Sequence, residues 1–333
     1  MLRAKPGVVD RLVSSEEPSI RWKMRVHVLG EDPDAAPARR LQEEVRRSPR
    51  VRALLDGHAS RRPSTYNKWL GGHWVLQSLA DLGYPAGDEE LASLRDEVLR
   101  TWLAPKYLGE KEVAGPGSAW PRDAVAVVEG RARRCGSQQG GALLALSRLG
   151  LADDGVDRLA DRLVHWQWPD GGWNCDRDPG ATSSSVYETL LPMRGLAAHA
   201  KRRGGPTVAD AARRAAEVLL TRRLLFRRTT GGLVRAEWAK LHYPVYWHYD
   251  VLAALKGVAE VGLIGDARCQ DALDLLLAKR LPDGGWPAES RYYRGASAQQ
   301  TYLDHVTWGG VASGRTNDWV TVDALAVLAA AGR

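Results

Sequence analysis

The sequence predicts an all-α protein assembled from repeated helix pairs, and three observations lead there. Segments that are apolar nearly all round alternate with segments whose apolar residues fall on one face. Gly-rich turns of one pattern recur between the pairs. The chain has 333 residues, 44% hydrophobic and 26% charged, which suits a soluble protein with one large core rather than a fibrous or disordered chain.

Taken in order, residues 1–37 read as an N-terminal arm, and residues 38–333 as a single repeat domain. The opening, MLRAKPGVVDRLVSSEEP, has no apolar signal-peptide core, and no run approaches the ~18 apolar residues of a membrane span, so a cytoplasmic location is expected. Leu41–Leu55 reads as a first half-buried helix. The buried helices follow as Thr65–Gly83, Arg131–Gly150, Ser183–Ala198, Val245–Gly262 and Asn317–Ala331, with cores such as LLALSRLG and VDALAVLAAAG. Between them lie the one-faced helices Asp88–Leu103, Asp153–Trp166, Val208–Leu224 and Asp266–Leu281. In the second of these, Val156, Leu159, Ala160 and Leu163 fall at helical spacing, and Asp153 stands where an N-cap belongs. Closing such pairs into a ring puts the buried helices inside and the half-buried ones outside.

Charge and cysteine content exclude several classes. The net charge is +7, mostly from Arg dispersed in pairs such as Arg39-Arg40 and Arg222-Arg223, with no contiguous basic run and no nucleic-acid motif. Cys135, Cys175 and Cys269 are too few for a disulfide framework, and without a CxxC pair no closed cysteine zinc site is expected; they read as small packing residues. One Phe stands against 13 Trp and 10 Tyr, an excess of rings carrying a polar handle, which suits the walls of a ligand cavity.

The turns are the most specific signal. Gln167-Trp168-Pro169-Asp170-Gly171-Gly172-Trp173 and Leu281-Pro282-Asp283-Gly284-Gly285-Trp286 are two copies, and Thr230-Gly231-Gly232-Leu233 is a degenerate third. This pattern resembles the Q–W repeat of squalene-type cyclases and the DGGF/DGGW turns of protein prenyltransferase β subunits. The resemblance covers the chain from about Leu41 onward and implies an α/α toroid of five to six helix pairs, in which the turn is a structural brace. Departures from those families narrow the chemistry. No D-x-D-D acid lies on a buried helix; Thr321-Val322-Asp323 offers one carboxylate. Asp153-Asp154-Gly155-Val156-Asp157 matches a magnesium-binding D-D-x-x-D but opens a one-faced helix, where caps are expected. Cys175-Asp176 and His248-x-Asp250 do not reproduce the prenyltransferase zinc spacing.

In a toroid the buried helices start at one mouth, where aligned dipoles favour an anion. The acid–base candidates in those first turns are His73, His248, Asp250, Asp318 and Asp323. The candidates for contacting substrate are Lys68, Trp69, Trp74, Arg134, Cys135, Gln138, Tyr187, Glu188, Trp247, Tyr249 and Trp319, with Lys68 and Arg134 suited to a diphosphate or carboxylate. Simpler roles stand beside these: Ser185 and Glu188 fit a capping box, Asp318 fits a cap, and a histidine on an apolar helix fits the core.

The expected function is a small-molecule enzyme of terpenoid-cyclase-like fold. It would act on a hydrophobic substrate, isoprenoid or anionic, in an aromatic-lined cavity by cyclase, isomerase or lyase acid–base chemistry. A non-catalytic ligand- or protein-binding toroid is the alternative. A carbohydrate-active enzyme is the third reading, and it needs Asp250 and Asp318 to face each other across a cleft. No cofactor is called for; zinc or magnesium are the metals whose ligand chemistry the residues would tolerate. No protein partner is indicated.

Overall fold

The computed structural model describes residues 6–114, 118–293 and 302–333. Among them are thirteen α-helices and one small sheet, in two compact units. The first unit holds the described residues up to Ala86, then Arg222–Tyr246, and the residues from Asp250 onward; the second holds Gly87–Thr221 and Trp247–Tyr249. No helix among the described residues is long and apolar enough to cross a membrane.

In the first unit, α1 (Pro6–Val13) and α2 (Pro18–Lys23), followed by a π-turn at Met24–Val28, occupy the expected arm. They are core rather than arm: Leu12, Ile20, Trp22 and Met24 are buried, and α2 packs on α5 (Gly72–Leu82) and α13 (Asp318–Ala330). Met1–Lys5 lie outside the described residues. The helix expected near Leu41–Leu55 is two helices, α3 (Ala36–Arg47) and α4 (Pro49–Arg61), because Ser48 caps the second and Pro49 opens it. The unit is completed by α11 (Val251–Glu260) and α12 (Gln270–Ala278).

The second unit carries α6 (Ala92–Trp102), α7 (Gly136–Arg148), α8 (Asp154–His165), α9 (Val186–Arg203) and α10 (Pro206–Leu220). The expected alternation is present. α7 is buried along nearly its whole length, whereas α8 buries Val156, Leu159, Ala160 and Leu163 and exposes its charged face. α7 and α9 approach closely because Gly140 has no side chain; a Cβ there would lie 2.3 Å from the Pro192 nitrogen.

The chain is mostly α, not all α. β1 (Glu110–Glu112) runs parallel to β2 (Val125–Val128), which pairs antiparallel with β3 (Arg131–Arg133). Arg131–Arg134, expected as the first turn of a buried helix, is strand and junction instead. The sequence VAVV-EG-RAR is a hairpin: Glu129 (φ 49°) and Gly130 (φ 71°) make the two-residue turn with both φ positive. Two other helices start late. α11 begins at Val251, since Tyr246 has φ 49° and Asp250 caps the helix, so Val245–Tyr249 precede it. α5 begins at Gly72, leaving Asn67–Trp69 in the approach.

The Gly-Gly turns share one geometry. Trp168 N–H donates to the Gly172 carbonyl (2.8 Å), as Leu281 N–H does to Gly285 (2.8 Å). The closing indole donates back to the end of the preceding helix, Trp173 to Leu163 O (3.0 Å) and Trp286 to Leu276 O (2.7 Å). Gln167 donates from Nε2 to Gly171 O (2.7 Å) and to Ala211 O of α10 (2.8 Å). Asp170 accepts from Ser184 N–H (2.7 Å) ahead of α9. Arg227 N–H donates to Gly232 O (2.7 Å) in the degenerate copy, which ends in exposed Leu233 instead of a buried Trp.

Candidate functional site

The β3–α7 junction concentrates unusual chemistry in the second unit. Arg133 forms an isolated parallel bridge with Asn174, so the two chain segments lie side by side and bring Cys135 abreast of Cys175. Gly136 lets α9 press against the start of α7: a Cβ there would meet the Glu188 carbonyl at 2.9 Å. One oxygen of the Cys135, Cys175 and Glu188 donor set and both sulfurs therefore lie within 4.8 Å of one another. Cys175 Sγ donates to Glu188 Oε1 (3.3 Å). Glu188 Oε2 accepts from Ser137 N–H (2.9 Å) and Ser137 Oγ–H (2.7 Å) at the N-terminus of α7. The capping box expected with Ser185 does not form; Ser185 caps nothing with its side chain, and Glu188 caps the neighbouring helix. The hydrogen bond between the two thiols lowers the Cys135 pKa and, with burial, raises that of Cys175.

Beside this cluster is a cleft of about 660 Å³. Among the described residues, Lys106, Arg122, Arg133, Arg134 and Arg177 line it with five cations and no carboxylate. Tyr107 and Trp120 supply flat apolar wall. Arg133 is only 7% exposed, and its Nε and Nη1 have no hydrogen-bond acceptor; its Nη2 donates to Pro179 O (3.2 Å) and it lies over the Trp168 ring. Arg134 stacks on Tyr107 (4.3 Å to the centroid) and bonds Gln139 (3.3 Å), while its Nη2 has no acceptor. Burial lowers the pKa of both guanidiniums, and neither forms an ion pair among the described residues. Desolvated cations with donors to spare are what an incoming phosphate or carboxylate completes.

Other expected site residues of this unit stand nearby in sequence. Gln138 is half-buried in the first turn of α7. Tyr187 meets Trp247 (5.9 Å) and buried Tyr249 (6.5 Å) edge-on, and His248 stacks on Trp247 (4.2 Å).

In the first unit the expected residues serve the core. Trp69 and Trp74 are buried; Trp69 stacks on Tyr246 (3.8 Å) and Lys68 lies over Tyr302. Trp319 stacks on Tyr243 under Arg50. His73 is buried beside Gln77, and burial lowers its pKa to about 3, so it is neutral at physiological pH. Asp323 is clamped by Lys23 (2.7 Å) and Lys256 (2.8 Å), which also hold Asp81 at 3.0 and 2.8 Å. Burial opposes the Lys23 charge, but Asp323 and Asp81 outweigh it and raise its pKa; against the same burial, Lys23 and Lys256 hold Asp81 well below the carboxylate range. Asp318 pairs with Arg11 at the surface, and Asn317, not Asp318, caps α13. Asp250 has no exposed surface, so Asp250 and Asp318 do not frame an open cleft. Asp250 caps α11 through Ala253 N–H (2.7 Å), and its histidine partner is His242 (Nδ1 at 2.7 Å). Asp153 caps α8 and Asp157 binds Arg203, so the D-D-x-x-D residues are structural.

Of the residues expected from sequence, Arg134, Cys135 and Glu188 stand together at this junction. Arg133, Arg177, Lys106 and Tyr107 were not singled out, and Cys175 was read as packing. The signal that could have found them is the hairpin, which makes Arg131–Arg133 a strand rather than the first turn of a helix.

No protein-family model matches the sequence, and no curated protein matches it. Solved structures do. A polysaccharide lyase shares 12% identity over 98% of this chain and 96% of its own, with a TM-score of 0.51. A type II terpene cyclase from Scytonema, solved with geranylgeranyl dihydroxybenzoate, shares 17% over 97% and 98%, TM-score 0.41. An unsaturated glucuronyl hydrolase from Bacillus sp. shares 14% over 98% and 87%, TM-score 0.43. The lyase match, spanning nearly the whole of both chains, shows that this chain shares the fold of that protein.

Proposed function

We propose that this protein is an enzyme of small-molecule metabolism, built as a toroid of five to six helix pairs, whose substrate carries an anionic head. The head docks in the Arg133–Arg134 cleft, the aromatic walls at Tyr107 and Trp120 accept a hydrophobic or planar portion, and acid–base chemistry of cyclase, isomerase or lyase type takes place at the adjoining Cys135–Cys175–Glu188 cluster. One observation carries the reading: the buried Arg133 and the half-buried Arg134 keep N–H groups without acceptors among the described residues, at the wall of a cleft lined by five cations. A buried charge left so is costly unless a ligand answers it. Calorimetric titration with inorganic pyrophosphate and with citrate tests it. Saturable one-to-one binding that weakens with added salt is expected; no binding of either anion at low salt sinks the proposal.

A binding module without turnover is the second reading. The clamping of Asp323 and the surface pairing of Asp318 favour it, since both remove expected acids. It takes the same anion, so a product search with anionic isoprenoid and uronate substrates separates the two.

A further inference from the structure

We infer that Cys135, Cys175 and Glu188 are three ligands of a zinc-class metal ion whose fourth coordination position is open. The inference deepens the proposed function by specifying how the cluster would move a proton, but its argument needs no anion in the cleft.

The donor types suit the ion. Two sulfurs and a carboxylate oxygen are legitimate zinc ligands, and three protein ligands with an open position are the pattern of catalytic rather than structural zinc. The spacing is close. In tetrahedral zinc, ligand atoms stand roughly 3.5 Å apart, given Zn–S near ~2.3 Å and Zn–O near ~2.1 Å. Donors already within 4.8 Å of one another need close by only about 1 Å.

The scaffold is fixed independently of the cluster. Cys135 lies two residues beyond Arg133, whose bridge to Asn174 ends β3, and Cys175 follows Asn174. Glu188 is in the first turn of α9, anchored by Ser185 N–H to Trp173 O (2.9 Å). Ser137 holds Glu188 Oε2 with two hydrogen bonds, which leaves Oε1 turned to the thiols. That is the orienting support metal ligands characteristically receive.

Charge also balances. Two thiolates and a carboxylate bring three negative charges against two on the metal. The remaining one is offset by the N-terminus of α7 and by Arg134, whose guanidinium is within electrostatic reach of all three ligands. This gives the half-buried Arg134 a reason to stand where no ion pair among the described residues holds it. Water in the open position would have its pKa lowered toward neutrality and serve as the acid–base group.

The test uses the full chain, stripped with a chelator, kept reduced with a phosphine and titrated with cobalt(II). About one equivalent should bind, giving a near-ultraviolet thiolate-to-cobalt charge-transfer band and intense tetrahedral visible bands that zinc abolishes. Cys175→Ser should remove the charge-transfer intensity, and Glu188→Gln should weaken the affinity about tenfold or more. Thermal unfolding of each metal-free variant checks that it folds like the stripped parent; should one not fold, the parent titration decides. No thiolate band in the reduced parent overturns the inference, as does a band that survives Cys135→Ser/Cys175→Ser. Recovery of the unreduced protein with the two thiols joined, and no cobalt uptake after reduction, overturns it in favour of a disulfide. Pyrophosphate titration of the stripped protein runs separately, so failure of the metal site and failure of the anion cleft give different results.

Discussion

In the first unit Lys23 disappears between Asp81 and Asp323, whereas in the second Arg133 is nearly as buried and meets no carboxylate. Both are cations taken out of water. The lysine is answered inside the chain by two carboxylates, with Lys256 completing a closed set of four charges and Tyr243 Oη donating to Asp81 (2.7 Å). The arginine is answered by one carbonyl and an aromatic face, and two of its nitrogens remain unused. The contrast teaches that burial of a charge is not itself a sign of a site. A site is marked by burial without internal completion, and a brace by burial with it.

Three experiments break or sharpen that contrast. The largest effect is expected from Lys23→Ala, which strands Asp81 and Asp323 beside Lys256 alone. It should cost about 3–5 kcal/mol in urea unfolding, and a loss under ~1 kcal/mol would dismiss the brace. Arg134→Met should act in the opposite sense. Removing an incompletely answered cation leaves stability within about 1 kcal/mol of the parent, while pyrophosphate affinity falls roughly tenfold to a hundredfold with the lost charge-assisted bonds. A stability loss as large as that of Lys23→Ala, with anion binding intact, would make Arg134 a brace as well. The effect that is absent at neutral pH and emerges only on acidification is the pH dependence contributed by His73. Its folded pKa is lowered to about 3 from 6.5, so between these values the unfolded chain binds a proton the folded one refuses. Stability from this group is full above pH 6.5 and declines as pH falls toward 3, by up to about 1.4 kcal/mol per pH unit. The parent should therefore lose stability faster than His73→Phe across that window; parallel curves would place His73 in contact with water.

Legibility followed the physics of each signal. The alternation of α7 and α8, the helix in Asn317–Ala331 and the two Trp-closed turns were readable because apolar period and Gly-Gly reversals are local. The hairpin was missed because VAVV merged with an adjoining helix-like run, and the Glu129–Gly130 turn lacks the Asn-Gly or Asp-Gly that usually marks one. The burial of the first helices was not readable because α1 and α2 are short; α1 packs on α2, and α2 on α5 and α13, distant partners that no local window contains. The surroundings of the acid candidates were hidden for a related reason. Asp323 looks like an isolated acid in sequence, and its partners Lys23 and Lys256 are distant along the chain. Cys175 was set aside because only the Arg133–Asn174 bridge brings it to Cys135.

The Gln167 side chain has a dynamic consequence. Its amide donates at once to its own turn and to the Ala211 carbonyl of α10, while Arg214 of α10 bonds its oxygen. Through Asp170 the same turn holds Ser184 ahead of α9. Fraying of α10 therefore cannot proceed while the turn stays shut. In hydrogen–deuterium exchange the amides of α10, of the turn and of the start of α9 should open as one cooperative foldon with a common protection factor, rather than in the end-first order of an isolated helix.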